Sequence, residues 1–483
     1  MKKRLYLATF LFCFAAGVCF SETLFLDANT FEVSGNGWLP NHTGYIARQA
    51  TWMRSAAMKH HQVLGHYLIG YAGRSSWTMK TYTASHVARD NKILNAYWSA
   101  HEAGPPWNNH PIQARTDMWY SLAEIVREIG AAEDLLYPAK KRRSQVAIIY
   151  SSSADIWEMG YNYAFGFERM HTWLVLTHKQ IPVDFLSEKM IEEGWLNNYK
   201  VAYFSGTAIT EKAAEQMKLW VLKGGVLVLT AGAGMKDQFN RPLKSLDSIL
   251  PAERSSIIEI ARYLNSGRYL DSLSVADTVI VKETGAVFDV LAVKQTLKPK
   301  PGSVISGTFS DSSPSIVSGK AGRGTILCCG FLPAIAYMRK ALIARNQLMK
   351  DAGDLEKVQE PLPSEVATDI QLIKRAFEPW QYPEEYRNLI SMPMYQTECA
   401  LPVKCSTALV DAIVMDTEKG SVVVLSNYTF QPITELTLDV KPLRRVTKVE
   451  SVRCGSIRFT QHSDHIRFSL PLRETDFVKI YYR

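Results

Sequence analysis

No disulfide framework can be read from this sequence. Of its seven cysteines, Cys13 and Cys19 fall in the apolar N-terminal segment, which leaves Cys328, Cys329, Cys399, Cys405 and Cys454, an odd number. Cys399 and Cys405 flank Ala-Leu-Pro-Val-Lys and would close a small loop in an oxidising compartment. Two unrelated thiols is the other reading. There is no Cys-x-x-Cys and no Cys/His spacing of a zinc site, so neither a metal nor a cofactor is expected. Acidic and basic blocks are also missing. The net charge of +8 is spread along the chain, and the one basic run is Lys140-Lys141-Arg142-Arg143. Placed after Tyr137-Pro138 and before an apolar strand, it reads as a solvated linker ahead of a nucleic-acid patch, and no nucleic-acid partner is expected. Beyond the first twenty or so residues no stretch is long and apolar enough to span a membrane. Gly232-Ala233-Gly234 lacks the Lys-Ser/Thr that makes a phosphate loop.

What is present is ample apolar material. Hydrophobic residues make up 47% and aromatics 11% of 483 residues, enough for two to four packed domains and against general disorder. The chain opens with Lys2, Lys3 and Arg4, then an apolar run from Leu5 to Phe20, then Ser21. That is the layout of a secretory signal peptide over 1–21, and it predicts export to a periplasmic or extracellular location. An uncleaved anchor is the rival, although the run is short for a full span. Apart from that segment no membrane contact is expected.

From residue 22 strand-like and helix-like stretches alternate: TLFLDA, a helix with apolar spacing at Ile46, Ala50, Met53 and Ala57, then HYLIGY, a helix near 78–89, KILNAYWS, and a helix in MWYSLAEIVREIGAAEDLL. Three strand–helix units in series predict parallel strands with right-handed crossovers, and three units close nothing by themselves. After PAKKRRSQ a new series begins. VAIIY is a near-continuous apolar run of the kind buried on both faces of a parallel sheet, and a helix (163–179), IPVDFLSE, YKVAYFSGT, a helix capped by Thr210 and ended by Gly224-Gly225, and GVLVLT follow. This is a doubly wound pattern, with a ligand-competent edge at the strand C-termini. Residues 277–330 add β-rich material, 351–404 form a polar connector with a helix around IQLIKRAFEPW, and from about 405 short strands at regular spacing predict an antiparallel sandwich.

This order of parts resembles the family-42 β-galactosidases. The most specific segment is NNYKVAYFSGTAITEKAAEQMKLWVLKGGVLVLTAGAGMKDQFNRP, with Gly234, Asp237 and Arg241 in a Gly-x-x-Asp-x-x-x-Arg-like loop, and the ending VVVLSNYT to DFVKIYY is also similar. The resemblance implies an α/β chain made of a partial (β/α) barrel over 22–140, a flavodoxin-like doubly wound domain of amidotransferase-like fold over 141–350, the connector over 351–404, and a small antiparallel β-sandwich over 405–483. It also implies a carbohydrate ligand and a homo-oligomer, specifically a trimer.

Retaining glycosidases need two carboxyls close together across the scissile bond, placed in a barrel on the C-terminal ends of different strands. By the resemblance the acid/base strand is absent here, and the nucleophile falls at or next to Gly70, which has no side chain to attack with. The carboxylates left at strand C-terminal ends are Asp27 at the end of TLFLDA, Glu32 after it, and Glu102 after KILNAYWS. Glu102 with Glu32 is the candidate acid/base pair, and a solvated loop charge or a helix cap is the plainer reading of each. Trp77, Trp98 and Trp107 are candidates for stacking on sugar faces, with core packing the alternative. Arg74, His66 and Asp27 add polar groups on the same rim, His66 with the alternative of a satisfied buried histidine. The doubly wound domain lacks a cysteine on the turns SSSAD, SGTAI and TAGAG. Ser152, Ser205 and Thr230 have no local histidine, and Cys328-Cys329 lies inside an apolar strand, so this domain is read as non-catalytic. Two functions follow: a glycoside-hydrolase-like protein with a shortened barrel and an altered or lost catalytic pair, or a non-catalytic carbohydrate-binding or oligomerisation module.

Overall fold

The computed structural model describes residues 23–26, 43–58, 63–69, 76–97, 116–158, 164–261, 273–351, 382–397 and 399–483. The expected signal segment and the helix around IQLIKRAFEPW lie outside these residues.

The N-terminal part is three strand–helix units. Strands β1 (Thr23–Leu26), β2 (Val63–Ile69) and β3 (Asn91–Tyr97) form a parallel three-stranded sheet in that order, with helices α1 (Thr43–Met58), α2 (Ser76–Val87) and α3 (Thr116–Ala131) following them. Every residue of α2 from Trp77 to Val87 is buried, because the helix is packed on both sides rather than lying at a surface.

The chain then enters the sandwich before it enters the second α/β unit. Lys140–Lys141 forms a two-residue strand, β4, which pairs antiparallel with β15 (Val410–Asp416). This corrects the reading of the basic run as a solvated linker. Lys141 is buried and its ammonium lies 3.0 Å from Asp184, while Arg142 forks onto both carboxylate oxygens of Asp416 at 2.7 Å. The counter-charges are distant in sequence, so nothing local announced them.

The doubly wound unit contains β5 (Val146–Tyr150), α4 (Ser152–Trp157), α5 (Ala164–His178), β6 (Val183–Ser187), α6 (Glu188–Glu192), β7 (Val201–Phe204), α7 (Glu211–Leu222) and β8 (Val226–Leu229). It continues through β9 (Asp277–Val281), β10 (Val287–Val290), β11 (Val304–Phe309), β12 (Pro314–Ala321), β13 (Gly324–Cys329), α8 (Pro333–Asp351) and α9 (Glu384–Tyr395). The nine-stranded sheet runs β10-β9-β11-β12-β13-β8-β7-β5-β6, and its members β13, β8, β7, β5 and β6 are parallel. Numbered in chain order, those five give 2-1-3-4-5, the flavodoxin-like order. The fifth parallel strand is the cysteine-bearing GTILCC, reached only after an antiparallel detour. Side chains alternate across the sheet. Ile148, Tyr203 and Val228 face the cluster containing α5, α8 and α9, and Ile149, Phe204 and Leu229 face the one containing α7. Helix α7 starts where Thr210 accepts a bond from the Ala213 amide at 3.2 Å and stops at Gly224, whose φ of +125° side-chain-bearing residues rarely adopt.

The C-terminal unit is two packed sheets. One runs β19 (Gly455–Ile457), β18 (Val446–Ser451), β22 (Thr475–Tyr482), β16 (Gly420–Asn427), β15, β4; the other runs β14 (Val403–Cys405), β17 (Ile433–Val440), β21 (Ile466–Leu472), β20 (Thr460–Gln461). Strand β21 alternates buried and exposed residues, as an outer face open to water requires. Strand β16 is buried at every position because its second face carries the cluster of Ala84, Ile125 and Leu135 from the N-terminal unit. Cys399 packs against the helical core and Cys405 against the sandwich core, both as free thiols, so no bridge closes the loop between them.

The three units meet at buried ion pairs. Arg89 and Asp411, each with a side chain 2% exposed, are joined by two bonds of 2.7 and 3.1 Å. Removing one partner strands the other away from water. Asp411→Ala is therefore expected to destabilise the chain by about 3–5 kcal/mol in urea unfolding, against under about 1 kcal/mol for removal of the exposed Asp439–Arg467 pair.

Candidate functional site

The strand ends at which the sequence placed a glycosidase-like rim lie on one edge. Leu26 pairs with His66, His66 with Leu94, and Ile69 with Tyr97, so β1, β2 and β3 present their C-terminal ends on the same side of the sheet. His66 is a backbone member of β2. Asp27, Glu32, Gly70, Arg74, Trp98, Glu102 and Trp107 lie outside the described residues; in sequence, Asp27, Gly70 and Trp98 directly follow the three strand ends. Trp77 is described in full and stands in the core. It is 5% exposed, its indole N–H donates to the Asn427 carbonyl at 2.7 Å, and its ring lies 6.1 Å from that of Phe430. Of its two readings the structure shows packing, in which Trp77 fastens α2 to the sandwich.

The second edge is formed by the C-terminal ends of the doubly wound strands. Ser151 after β5 caps α4, accepting from the Ala154 amide at 2.9 Å. Glu188, at the start of α6, accepts from the Ser151 hydroxyl (3.0 Å), the Ser153 amide and hydroxyl (3.2 and 3.1 Å) and the Thr210 amide (2.9 Å). After β7, the Thr207 amide donates to Glu158. After β8, Thr230 donates its hydroxyl to Ser205 at 3.0 Å. Gly232 donates its amide to Gln295 at 2.9 Å and Gly234 donates to the Gly206 carbonyl at 2.9 Å, so this glycine turn spends its N–H groups internally. The Gly234–Arg241 loop closes on itself as well, with Asp237 accepting from the Phe239 and Arg241 amides and from the Arg241 guanidinium.

Among the described residues this edge carries no activated nucleophile. Cys328 and Cys329 are buried in β13, and burial pushes the Cys328 thiol up to about 11 and that of Cys329 further still. Among the described residues no group of His, Cys, Asp or Glu is arranged to hold a metal ion.

The sequence reading passed over three buried charges here. In AFGFERMHTWLVLTH every residue is buried, including the adjacent Glu168 and Arg169. Glu168 accepts from the Ala334 and Ile335 amides (3.0 and 2.9 Å), capping the N-terminus of α8, and burial raises its carboxyl to about 8 against those bonds. Glu158 is raised by burial to about 7, with the bonds from Thr207 pulling the other way. A Glu-Arg pair inside a helix rich in large apolar residues was the available signal, since charges at such positions need dedicated partners.

In fold the chain is similar to a catalytic mutant of Gan42B, a GH42 β-galactosidase from G. stearothermophilus: TM-score 0.61, 13% identity, 94% of this chain and 58% of that one. The chain has a GH42-like fold. The β-galactosidase from Bacillus circulans sp. alkalophilus superposes with TM-score 0.59 at 13% identity, over 92% of this chain and 59% of that enzyme. An α-L-fucosidase isoenzyme from Paenibacillus thiaminolyticus superposes with TM-score 0.60 at 11% identity, over 92% of this chain and 64% of that enzyme. The chain thus spans about three fifths of the length of each. No protein-family model and no curated protein matches it in sequence. At 11–13% identity these likenesses show the fold alone, and a fold does not by itself set a function.

The raised carboxyls have a consequence for stability. Glu168 and Glu158 hold protons in the folded chain at pH values where the unfolded chain has released them. Their contribution is complete below about pH 4.5 and is lost as pH rises through 7 to 8. Glu168→Gln, which keeps a neutral group there, is expected to flatten the fall in melting temperature between pH 5 and 8.5. An unchanged slope would show that Glu168 is ionised throughout.

Proposed function

We propose that this is an exported, glycoside-hydrolase-like protein of carbohydrate metabolism, related to the β-galactosidases and lacking their usual pair of catalytic glutamates. The observation that carries the reading is a GH42-like fold over more than nine tenths of the chain, in which three parallel strands end together at Leu26, Ile69 and Tyr97. In a barrel, those ends are where the two carboxyls of a retaining glycosidase belong. The residue after β2 is Gly70, which can supply neither a nucleophile nor a proton. Chemistry at this rim then falls to Glu102 and Glu32, with Trp98, Trp107, Arg74, His66 and Asp27 as sugar contacts. Export rests on the charged and apolar N-terminal segment.

A second reading, a non-catalytic carbohydrate-binding or oligomerising module, is favoured by the doubly wound edge. Its hydroxyls, amides and carboxylates are bonded to one another, which suits a scaffold for subunit contact. Turnover of nitrophenyl galactosides and fucosides by the full chain separates the two. If the protein is a glycosidase, Glu102→Gln lowers kcat by about 10²–10⁴-fold while sugar binding persists. Sugar binding without turnover in the parent chain supports the module. Light scattering tests the assembly, a homo-oligomer such as a trimer being expected and a monomer counting against it.

A further inference from the structure

Doubly wound sheets take ligands outside the C-terminal ends of their strands, near the point where strand order reverses. On the α5 side of that edge lies a cavity of ≈ 30 Å³, two to three times the ~10–15 Å³ that one water occupies. Ile148, Val228, Leu389 and Ile390 make it largely apolar. Arg169, Ser205 and Thr230 bring polar groups to its wall.

Arg169 is 4% exposed. Its Nη2 donates to Asp155 at 2.8 Å, and its guanidinium carbon lies 4.9 Å from the centre of the Tyr150 ring. Its Nη1 is buried with no hydrogen-bond partner. A buried donor left unmet costs free energy that a ligand acceptor would recover. Ser205 accepts from Thr230, so its own proton is a second donor at this wall.

Charge decides the class of acceptor. Asp155 already balances the guanidinium, and Glu168, which also lines the cavity, is raised by burial to about 8 and so holds its proton at neutral pH. An incoming anion would bring an unbalanced charge into a buried site whose one cation is already paired, whereas a neutral oxygen meets only the open donors. The apolar wall favours a ligand with some hydrocarbon, and the volume limits it to about three or four heavy atoms. We propose that this cavity binds a small neutral amide, ketone or alcohol, its oxygen accepting from Arg169 Nη1 and its carbon end resting on Val228 and Ile390. The site is separate from the strand ends at Leu26, Ile69 and Tyr97 and stands whether or not those turn over a glycoside.

Saturation-transfer NMR on the full chain tests this with acetamide and its anionic isostere acetate. Saturable acetamide binding is expected, with acetate weaker by about tenfold or more. Arg169→Gln should weaken acetamide about tenfold, the loss of one hydrogen bond to a charged donor. Val228→Ile narrows the cavity without touching the guanidinium and should weaken acetamide to a similar degree while the chain stays folded. The proposal is overturned if acetate binds as well as acetamide, if acetamide shows no saturable binding and the cavity holds water alone, or if Val228→Ile leaves binding unchanged. Should Arg169→Gln fail to fold, the Val228→Ile result decides.

Discussion

Two buried carboxylates, Asp184 and Asp411, hold the three units of this chain together. Asp184, on β6 of the doubly wound sheet, accepts from Arg54 of α1 at 2.9 Å, from Lys141 of β4 at 3.0 Å and from the Tyr199 hydroxyl at 3.1 Å. Arg54 also reaches Asp90 at 2.6 Å, whose second oxygen takes the Lys141 amide at 2.8 Å. Asp411, on β15 of the sandwich, holds Arg89 from the end of α2, and Arg89 also donates to Thr51 of α1. Burial pushes the Asp184 carboxyl up, but Lys141 and Arg54 outweigh it and keep it below the usual carboxylate range. Burial likewise lowers the Lys141 ammonium to about 8, with Asp184 opposing. Each charge is tolerable in the interior only because its partner comes from another unit. Detaching the N-terminal helices would leave charges stranded in both of the others.

The same constraint explains why the sandwich departs from a free-standing one. Its six-stranded sheet is covered on one face by the four-stranded sheet and on the other by α2, α3 and Leu135. Trp77 and Lys80 project from α2 toward it, the first bonded to the Asn427 carbonyl, the second within 3.9 Å of Glu474. Glu128 of α3 takes both Arg453 and Thr475 of the sandwich, at 2.5 and 2.9 Å. A three-stranded parallel sheet has too little surface to bury its own helices. Here their outer faces are buried by the sandwich.

Much of the fold could be read from local pattern. VAIIY, VAYF and VLVL are apolar runs and became central parallel strands, and Thr210 and Gly224 bound a helix where their side-chain and backbone preferences put its ends. The sandwich strands were legible for the same reason, their length and turn spacing being local properties. The basic run at 140–143 was not, since identical residues serve as solvated linker or buried cations depending on partners 43 and 274 positions away. Trp77 carried the same ambiguity, because an indole suits a sugar face and a core equally well, and only its neighbours Asn427 and Phe430 decide.

By itself the sequence determined the class of the fold, the order of its parts, the absence of a cysteine on the doubly wound turns, and a glycine directly after the second strand. These follow from periodicity, capping and residue identity, which act over a few neighbouring positions. Tertiary structure decided the five-strand parallel order that takes in GTILCC, the use of Asp184 and Asp411 as junctions, and the burial of Arg169 beside a cavity with one donor unmet. Those depend on which distant side chains come within about 3 Å of one another and on which of them lose water, and no local pattern encodes either.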